Sequence, residues 1–111
     1  MAPDAAPIRA LIVDDEPLAR ERLQELIDDA PAVTVVGTAE DGHDAVEDIR
    51  KQAPDLVFLD VQMPGMNGID VIEEMGADDM PVTVFVTAYD QYAIKAFDLA
   101  AVDYLLKPFD D

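Results

Sequence analysis

The chain contains no cysteine and no serine, and its one histidine is His43. The first absence removes disulfides, thiolate metal sites and thiol nucleophiles together, and makes a reducing cytoplasm the simplest expected setting. The second rules out Ser–His–Asp hydrolysis by inventory, and a lone histidine cannot build a multi-histidine metal centre. Met1 to Pro7 carries neither a basic stretch nor an apolar run, so it reads as a short extended or disordered lead-in and not as a signal peptide. No window approaches the length of a membrane span, and no membrane partner is expected.

Basic residues are the other scarcity. Seven Lys and Arg face 25 Asp and Glu, a net charge of −18, where a small domain ordinarily carries a magnitude of about 2–8. Such a surface repels nucleic-acid phosphates, so direct nucleic-acid binding by this domain is not expected. Only three of the cations are Lys, and 18 of the acids are Asp. Two readings stay open: an acidic soluble regulator, or adaptation to high salt, where self-repulsion is screened.

What is present is enough for one core. Half of the 111 residues are apolar, which supports a single domain without covalent staples. Ile8 to Val13 is an apolar run, interrupted by Arg9, that stops abruptly at Asp14-Asp15-Glu16, as a buried parallel strand would. Ala19, Leu23, Leu26, Ile27 and Ala30 then recur at helical spacing behind Pro17, with Pro31 as the stop. Val33 to Ala39 predicts a second strand. Gly42 opens a helix with Val46, Ile49 and Ala53 on one face, closed by Pro54. Asp55 to Leu59 predicts the third strand and delivers Asp60. The loop from Met63 to Gly68 is too rich in Pro and Gly to be helical. A short helix follows, marked by Ile69, Ile72 and Met75 and ended by Gly76. Val82 to Val86 predicts a fourth strand ending in Thr87. Tyr89, Tyr92, Ala93, Ala96, Phe97 and Ala100 define an amphipathic fourth helix, and Val102 to Leu106 a last strand before Lys107-Pro108. Five strands alternating with four helices imply a doubly wound α/β domain with a parallel sheet and right-handed crossovers.

The polar groups of the strands cluster at one edge. Strand one delivers Asp14 and Asp15, strand three Asp60, strand four Thr87 and strand five Lys107. In open α/β sheets, ligands bind outside the carboxyl ends of the strands. Three carboxylates gathered there repel unless a cation intervenes. A few oxygen ligands with open positions suit Mg²⁺, which keeps several waters and accepts a phosphate oxygen. Lys107 offers a point charge to an anion and the Thr87 hydroxyl a hydrogen bond. One metal, one Lys and one hydroxyl beside an aspartate nucleophile describe a phosphoryl site, working by positioning and charge neutralisation.

Four segments carry a specific resemblance. Ile12-Val13-Asp14-Asp15-Glu16, Leu59 to Gly68, Val86-Thr87-Ala88 and Tyr104 to Phe109 together resemble the receiver domain of two-component response regulators, over residues 8–109. Glu16-Pro17-Leu18-Ala19-Arg20 and Thr87 to Ala93 resemble the LytR/AlgR subfamily in particular. The resemblance implies a flavodoxin-like sheet of strand order 2-1-3-4-5. It implies Asp60 as phosphoacceptor from a sensor histidine kinase, and Mg²⁺ held by Asp14, Asp15, Asp60 and the Gln62 backbone carbonyl. Thr87 and Lys107 would contact the phosphoryl group, and Thr87 and Tyr104 would move as the switch. Pro64 and Gly68 would shape the loop, and the Lys107–Pro108 bond would be cis. Catalysis would be limited to the domain's own phosphorylation and dephosphorylation. Output would pass to transcription through a LytTR-type DNA-binding domain that this chain does not include. Receivers carry a fifth helix after the last strand, whereas only Phe109, Asp110 and Asp111 follow Pro108 here. The expectation is a final helix missing or truncated, a partly bare sheet face, and self-association through the region of residues 89–106.

Plainer readings stand beside these. An acidic pair such as Asp14-Asp15 is commonly a helix N-cap, and an aromatic in a terminal strand, as Tyr104 is, is commonly core or edge packing. His43 reads as solvated, Met63 and Met66 as loop packing, and Arg20 and Arg22 as partners of neighbouring acids such as Glu16. A haloacid-dehalogenase-type phosphatase also uses an Asp nucleophile with Mg²⁺, but it needs a second Asp where Gln62 stands. A pseudo-receiver binding without phosphorylation is the other rival. The charge balance itself makes a prediction. Melting temperature should rise from low to molar NaCl, because repulsion is screened beyond about 8 Å at physiological salt, and divalent cation should add more. A thermal-unfolding series that stays flat with salt would contradict it.

Overall fold

The computed structural model describes residues 7–87 and 103–106, and for Ala77, Thr87 and residues 103–106 it describes the backbone alone. Ala10, Leu11, Ile12 and Val13 are each no more than 1 % exposed, which requires a strand covered on both faces. That strand, β1 (Ile8–Val13), lies inside a parallel sheet with β2 (Val33–Ala39), β3 (Leu56–Asp60), β4 (Val82–Thr87) and β5 (Asp103–Leu106), in the order β2-β1-β3-β4-β5. The helices α1 (Pro17–Asp28), α2 (Gly42–Gln52) and α3 (Gly68–Met75) connect the first four strands, with a 3₁₀ turn at Ala77–Asp79. This is the flavodoxin-like architecture and strand order expected from the sequence. The expected helix at 89–100, Lys107, the Lys107–Pro108 bond and the residues after it lie outside the described residues, as do the side chains of Thr87 and Tyr104.

The period-2 alternation of the strands sorts their side chains to two cores. Leu11, Val13, Val57, Leu59 and Phe85 face Ala45, Val46 and Ile49 of α2 and Ile69, Val71 and Ile72 of α3. Ile12 and Val86 face Leu23 and Ile27 of α1, with half-buried Val33, Val35 and Phe58 around them. Cover on this second face is thinner: Leu56, Phe58 and Val84 are half-buried and Val82 is 53 % exposed.

The ends of β3, β4 and β5 differ from the sequence expectation by one residue, and three differences have a visible local reason. Ala30 lies beyond α1, where its N–H bonds to the Ile27 carbonyl at 2.8 Å in a closing turn. Ala53 is not on the apolar face of α2 but caps it in the left-handed region, φ 48°, the common way for a helix to end. Asp55 precedes β3; its carboxylate accepts from the Arg9 N–H at 3.0 Å while its own N–H donates to the Arg9 carbonyl at 2.8 Å.

Arg9, which interrupts the first apolar run, closes the adjoining helix end. Its Nη1 donates to the carbonyls of Gln52 at 2.7 Å and Ala53 at 3.1 Å, groups left without an intrahelical partner at a C-terminus. Arg9→Ala should therefore cost about 1–2 kcal/mol of stability in denaturant unfolding. Arg50→Ala should cost less than about 0.5 kcal/mol, since its pairing with Glu74 at 4.0 Å is largely solvated. Equal losses for the two variants would show that the helix end does not depend on Arg9.

Candidate functional site

Two buried aspartates meet at the carboxyl ends of adjacent strands. Asp14 follows β1 and Asp60 ends β3, and each is 3 % exposed. Asp15, half-buried, and Glu16, exposed, follow on the same turn, and the carboxylate oxygens of Asp14, Asp15, Glu16 and Asp60 lie within 4.8 Å of one another. The pairing of β1 with β3 causes this. Val13 is in register with Leu59, so the next residue of each strand stands side by side. Asp60 is itself in register with Val86, which puts Thr87 one step further along the same sheet edge.

Backbone hydrogen bonds fix the two buried carboxylates. Asp14 Oδ1 accepts from the Glu16 N–H at 2.9 Å, and Asp60 Oδ1 from the Gln62 N–H at 3.2 Å. Asp14 extends the sheet through its own N–H to the Ala39 carbonyl at 3.0 Å, and its carbonyl accepts from Arg20 Nη1 at 2.8 Å. The N-cap of α1 is Glu16, with no side-chain capping bond, so the acidic pair before it is not serving as a cap. Arg20 pairs with Glu40, Nη2 to Oε1 at 3.8 Å, a contact between α1 and the end of β2 that local spacing could not suggest.

The loop after Asp60 is held at both ends. Met63 is 7 % exposed and joins the α2–α3 core, with half-buried Met66 against it. Asn67 and Asp70 form a reciprocal capping box at the start of α3, with bonds of 2.9 and 3.0 Å. Gly68 donates its N–H to the Val61 carbonyl at 3.0 Å, and a Cβ there would collide with the Asp60 carbonyl. Only glycine lets the loop return this close to the aspartate. Pro64 lies exposed at the loop tip beside Gly65, whose φ of 73° is in the left-handed region. An open cleft of about 350 Å³ runs along the loop, lined by Val61, Gln62, Met63, Pro64 and Asn67.

Of the residues picked from the sequence, the structure brings Asp14, Asp15 and Asp60 together and sets Gln62 beside Asp60. It adds Glu16, which the sequence reading treated as a partner for Arg20 or Arg22; its place two residues beyond Asp14 on one tight turn was the available signal. His43 is exposed. Four hard carboxylate donors, two of them buried, fit a cation of the Mg²⁺ type.

Like charges at about 5 Å repel by about 1 kcal/mol in a water-like dielectric and about 3 at an effective value of 20. Asp15→Asn should therefore raise the melting temperature by a few degrees in chelator and reduce the further rise produced by Mg²⁺. Calorimetry showing the variant less stable in chelator, with the full Mg²⁺ increment, would refute this.

Residues 10–111 match the response regulator receiver domain family. An uncharacterized response regulatory protein of Vibrio vulnificus is 50 % identical over 103 residues, 93 % of this chain and 43 % of its own length. The transcriptional regulatory protein BtsR of Escherichia coli K12 is 43 % identical over 104 residues, 94 % of this chain and 44 % of its own length. The chain thus spans less than half the length of these curated relatives. Among solved structures, the response regulator domain of Thermotoga maritima CheB superposes with a TM-score of 0.85 at 34 % identity, covering 92 % of this chain and 79 % of that one. A chain of the CheX–CheY–BeF₃–Mg²⁺ complex from Borrelia burgdorferi gives 0.85 at 27 % identity, covering 95 % of this chain and 81 % of that one. Fold, strand-end aspartates and family match agree: this chain belongs to the response regulator receiver domain family of two-component signalling.

Proposed function

We propose that Asp60 accepts a phosphoryl group from a sensor histidine kinase, with Mg²⁺ held by Asp14, Asp15, Asp60 and the Gln62 backbone carbonyl. The observation that carries this reading is the pair of buried aspartates, Asp14 and Asp60, with carboxylate oxygens within 4.8 Å of each other and of Asp15 and Glu16. When bound, the metal supplies positive charge against the carboxylates and the incoming phosphoryl oxygens. The chain's own residues set the geometry. Gln62 N–H, bonded to Asp60 Oδ1, fixes the plane of the carboxylate, and Gly68 keeps the loop clear of it. A carboxylate oxygen of Asp60 forms the new bond to phosphorus, the phosphorus–nitrogen bond of the kinase's phosphohistidine breaks, and its electron pair leaves on the imidazole.

Thr87 and Lys107 then contact the phosphoryl oxygens, and Thr87 with Tyr104 forms the switch that relays the new charge. Pro108 in the cis form and Pro64 shape the turns on either side of the site. The chemistry is confined to the domain's own phosphorylation and dephosphorylation, in a cytoplasmic setting. In the whole protein the switch would act on transcription through a LytTR-type DNA-binding domain, as in the LytR/AlgR subfamily, with a homodimer formed through the region of residues 89–106. The likeness to BtsR, a transcriptional regulatory protein, supports that output, and the Mg²⁺ and BeF₃ of the Borrelia CheY complex support the site chemistry. Intact-mass spectrometry after incubation with acetyl phosphate and Mg²⁺ tests the proposal. One phosphoryl group should appear on the wild type and none on Asp60→Asn; equal labelling of the two, or labelling indifferent to chelator, overturns it.

A further inference from the structure

We infer that Arg20 is a positioning residue for the metal-holding carboxylates, acting through the Asp14–Asp15 peptide; the inference rests on the metal reading proposed above. The guanidinium leaves the first turns of α1 with its side chain 20 % exposed. Nη1 donates to the Asp14 carbonyl at 2.8 Å, and Nη2 lies 3.8 Å from Glu40 Oε1, directly after β2. One side chain thus ties α1 to the ends of β1 and β2. The carbonyl it holds belongs to the peptide unit that joins Asp14 to Asp15, and a peptide unit is planar. Fixing that oxygen fixes the plane, and with it the direction in which Asp15 leaves the turn. Asp14 is pinned independently, through its N–H to Ala39 and through Oδ1 by the Glu16 N–H. Removal of Arg20 therefore frees the orientation of Asp15 relative to Asp14 while the sheet contact survives.

Charge and geometry make opposite demands here, so the sign of an effect separates them. By Coulomb's law alone, a guanidinium beside the cluster opposes a divalent cation, and removing it should tighten Mg²⁺ binding. Mg²⁺ also demands near-ideal octahedral geometry, and partners that orient ligands are worth about 10–100-fold in metal affinity. The fork of Arg20 is aimed at a backbone carbonyl and at Glu40, outside the four-carboxylate cluster, so orientation is the larger effect. Lysine keeps the charge but not the planar fork that reaches both oxygens at once.

Isothermal titration of the 111-residue chain with Mg²⁺ at fixed ionic strength distinguishes these, using wild type, Arg20→Met, Arg20→Lys and Arg22→Met, with thermal unfolding of each. Arg22 is an exposed charge on the same helix. Arg20→Met should weaken Mg²⁺ binding about tenfold and Arg20→Lys severalfold, whereas Arg22→Met should bind equally or more tightly. Where Arg20→Met is too unstable to titrate, Arg20→Lys decides alone, because its unchanged charge leaves geometry as the only difference. An Arg20 variant that binds Mg²⁺ as well as or better than wild type overturns the positioning role and leaves the metal reading intact. A wild type that takes up no Mg²⁺ overturns the metal reading, and this inference with it.

Discussion

Mutual repulsion among carboxylates is the constraint around which this domain is arranged. Oxygens of Asp14, Asp15, Glu16 and Asp60 lie within 4.8 Å of one another, in a chain that already carries a net charge of −18. Left to itself, such a cluster would spread into solvent. It cannot, because Asp14 and Asp60 ride on two paired strands whose neighbouring residues, Val13 and Leu59, are 1 % and 0 % exposed. The hydrophobic core thereby holds charge where charge alone would not go. A cation bound there, as in the proposed function, would relieve that repulsion.

The surroundings keep that arrangement from relaxing. Backbone N–H groups of Glu16 and Gln62 occupy one oxygen of each buried aspartate. Core packing of Met63 and the capping box at Asn67 tether the loop that follows Asp60, and Gly68 allows the return path. On the other side Arg20 braces the Asp14–Asp15 peptide. Each contact is modest by itself, about 1 kcal/mol net for a typical hydrogen bond. Their common property is direction: all act on the position of an aspartate.

Much of this was legible in the sequence. Buried parallel strands announce themselves as short apolar runs that stop at acids, and β1 and β2 begin and end where those runs do. The apolar run ahead of Asp60 stops at Leu59, yet Asp60 is itself the last residue of β3, paired with Val86. The pair Asp14-Asp15 was readable because a run of strand-end polar groups makes chemical sense only together. What stayed hidden was set by contacts distant in sequence. Arg9 looked like a flaw in a strand, and its role depends on carbonyls more than forty residues away. The tie from Arg20 to Glu40 spans two elements, so a reading built on helical neighbours assigned Arg20 to nearby acids such as Glu16 instead. Ala53 fitted the apolar face by spacing alone, but a helix end is decided by backbone conformation, and its φ of 48° takes it off that face.

With so many surface acids, the sharpest alternative is that divalent cations gather diffusely, with no preference for the strand-end cluster. Anomalous scattering from crystals soaked in dilute Mn²⁺, which shares the preference of Mg²⁺ for carboxylate and water oxygen, locates the ion directly. One dominant peak bridging the carboxylates of Asp14, Asp15 and Asp60 is the result this structure predicts. Peaks distributed over the exposed acids of the helices, with none at Asp60, would contradict it.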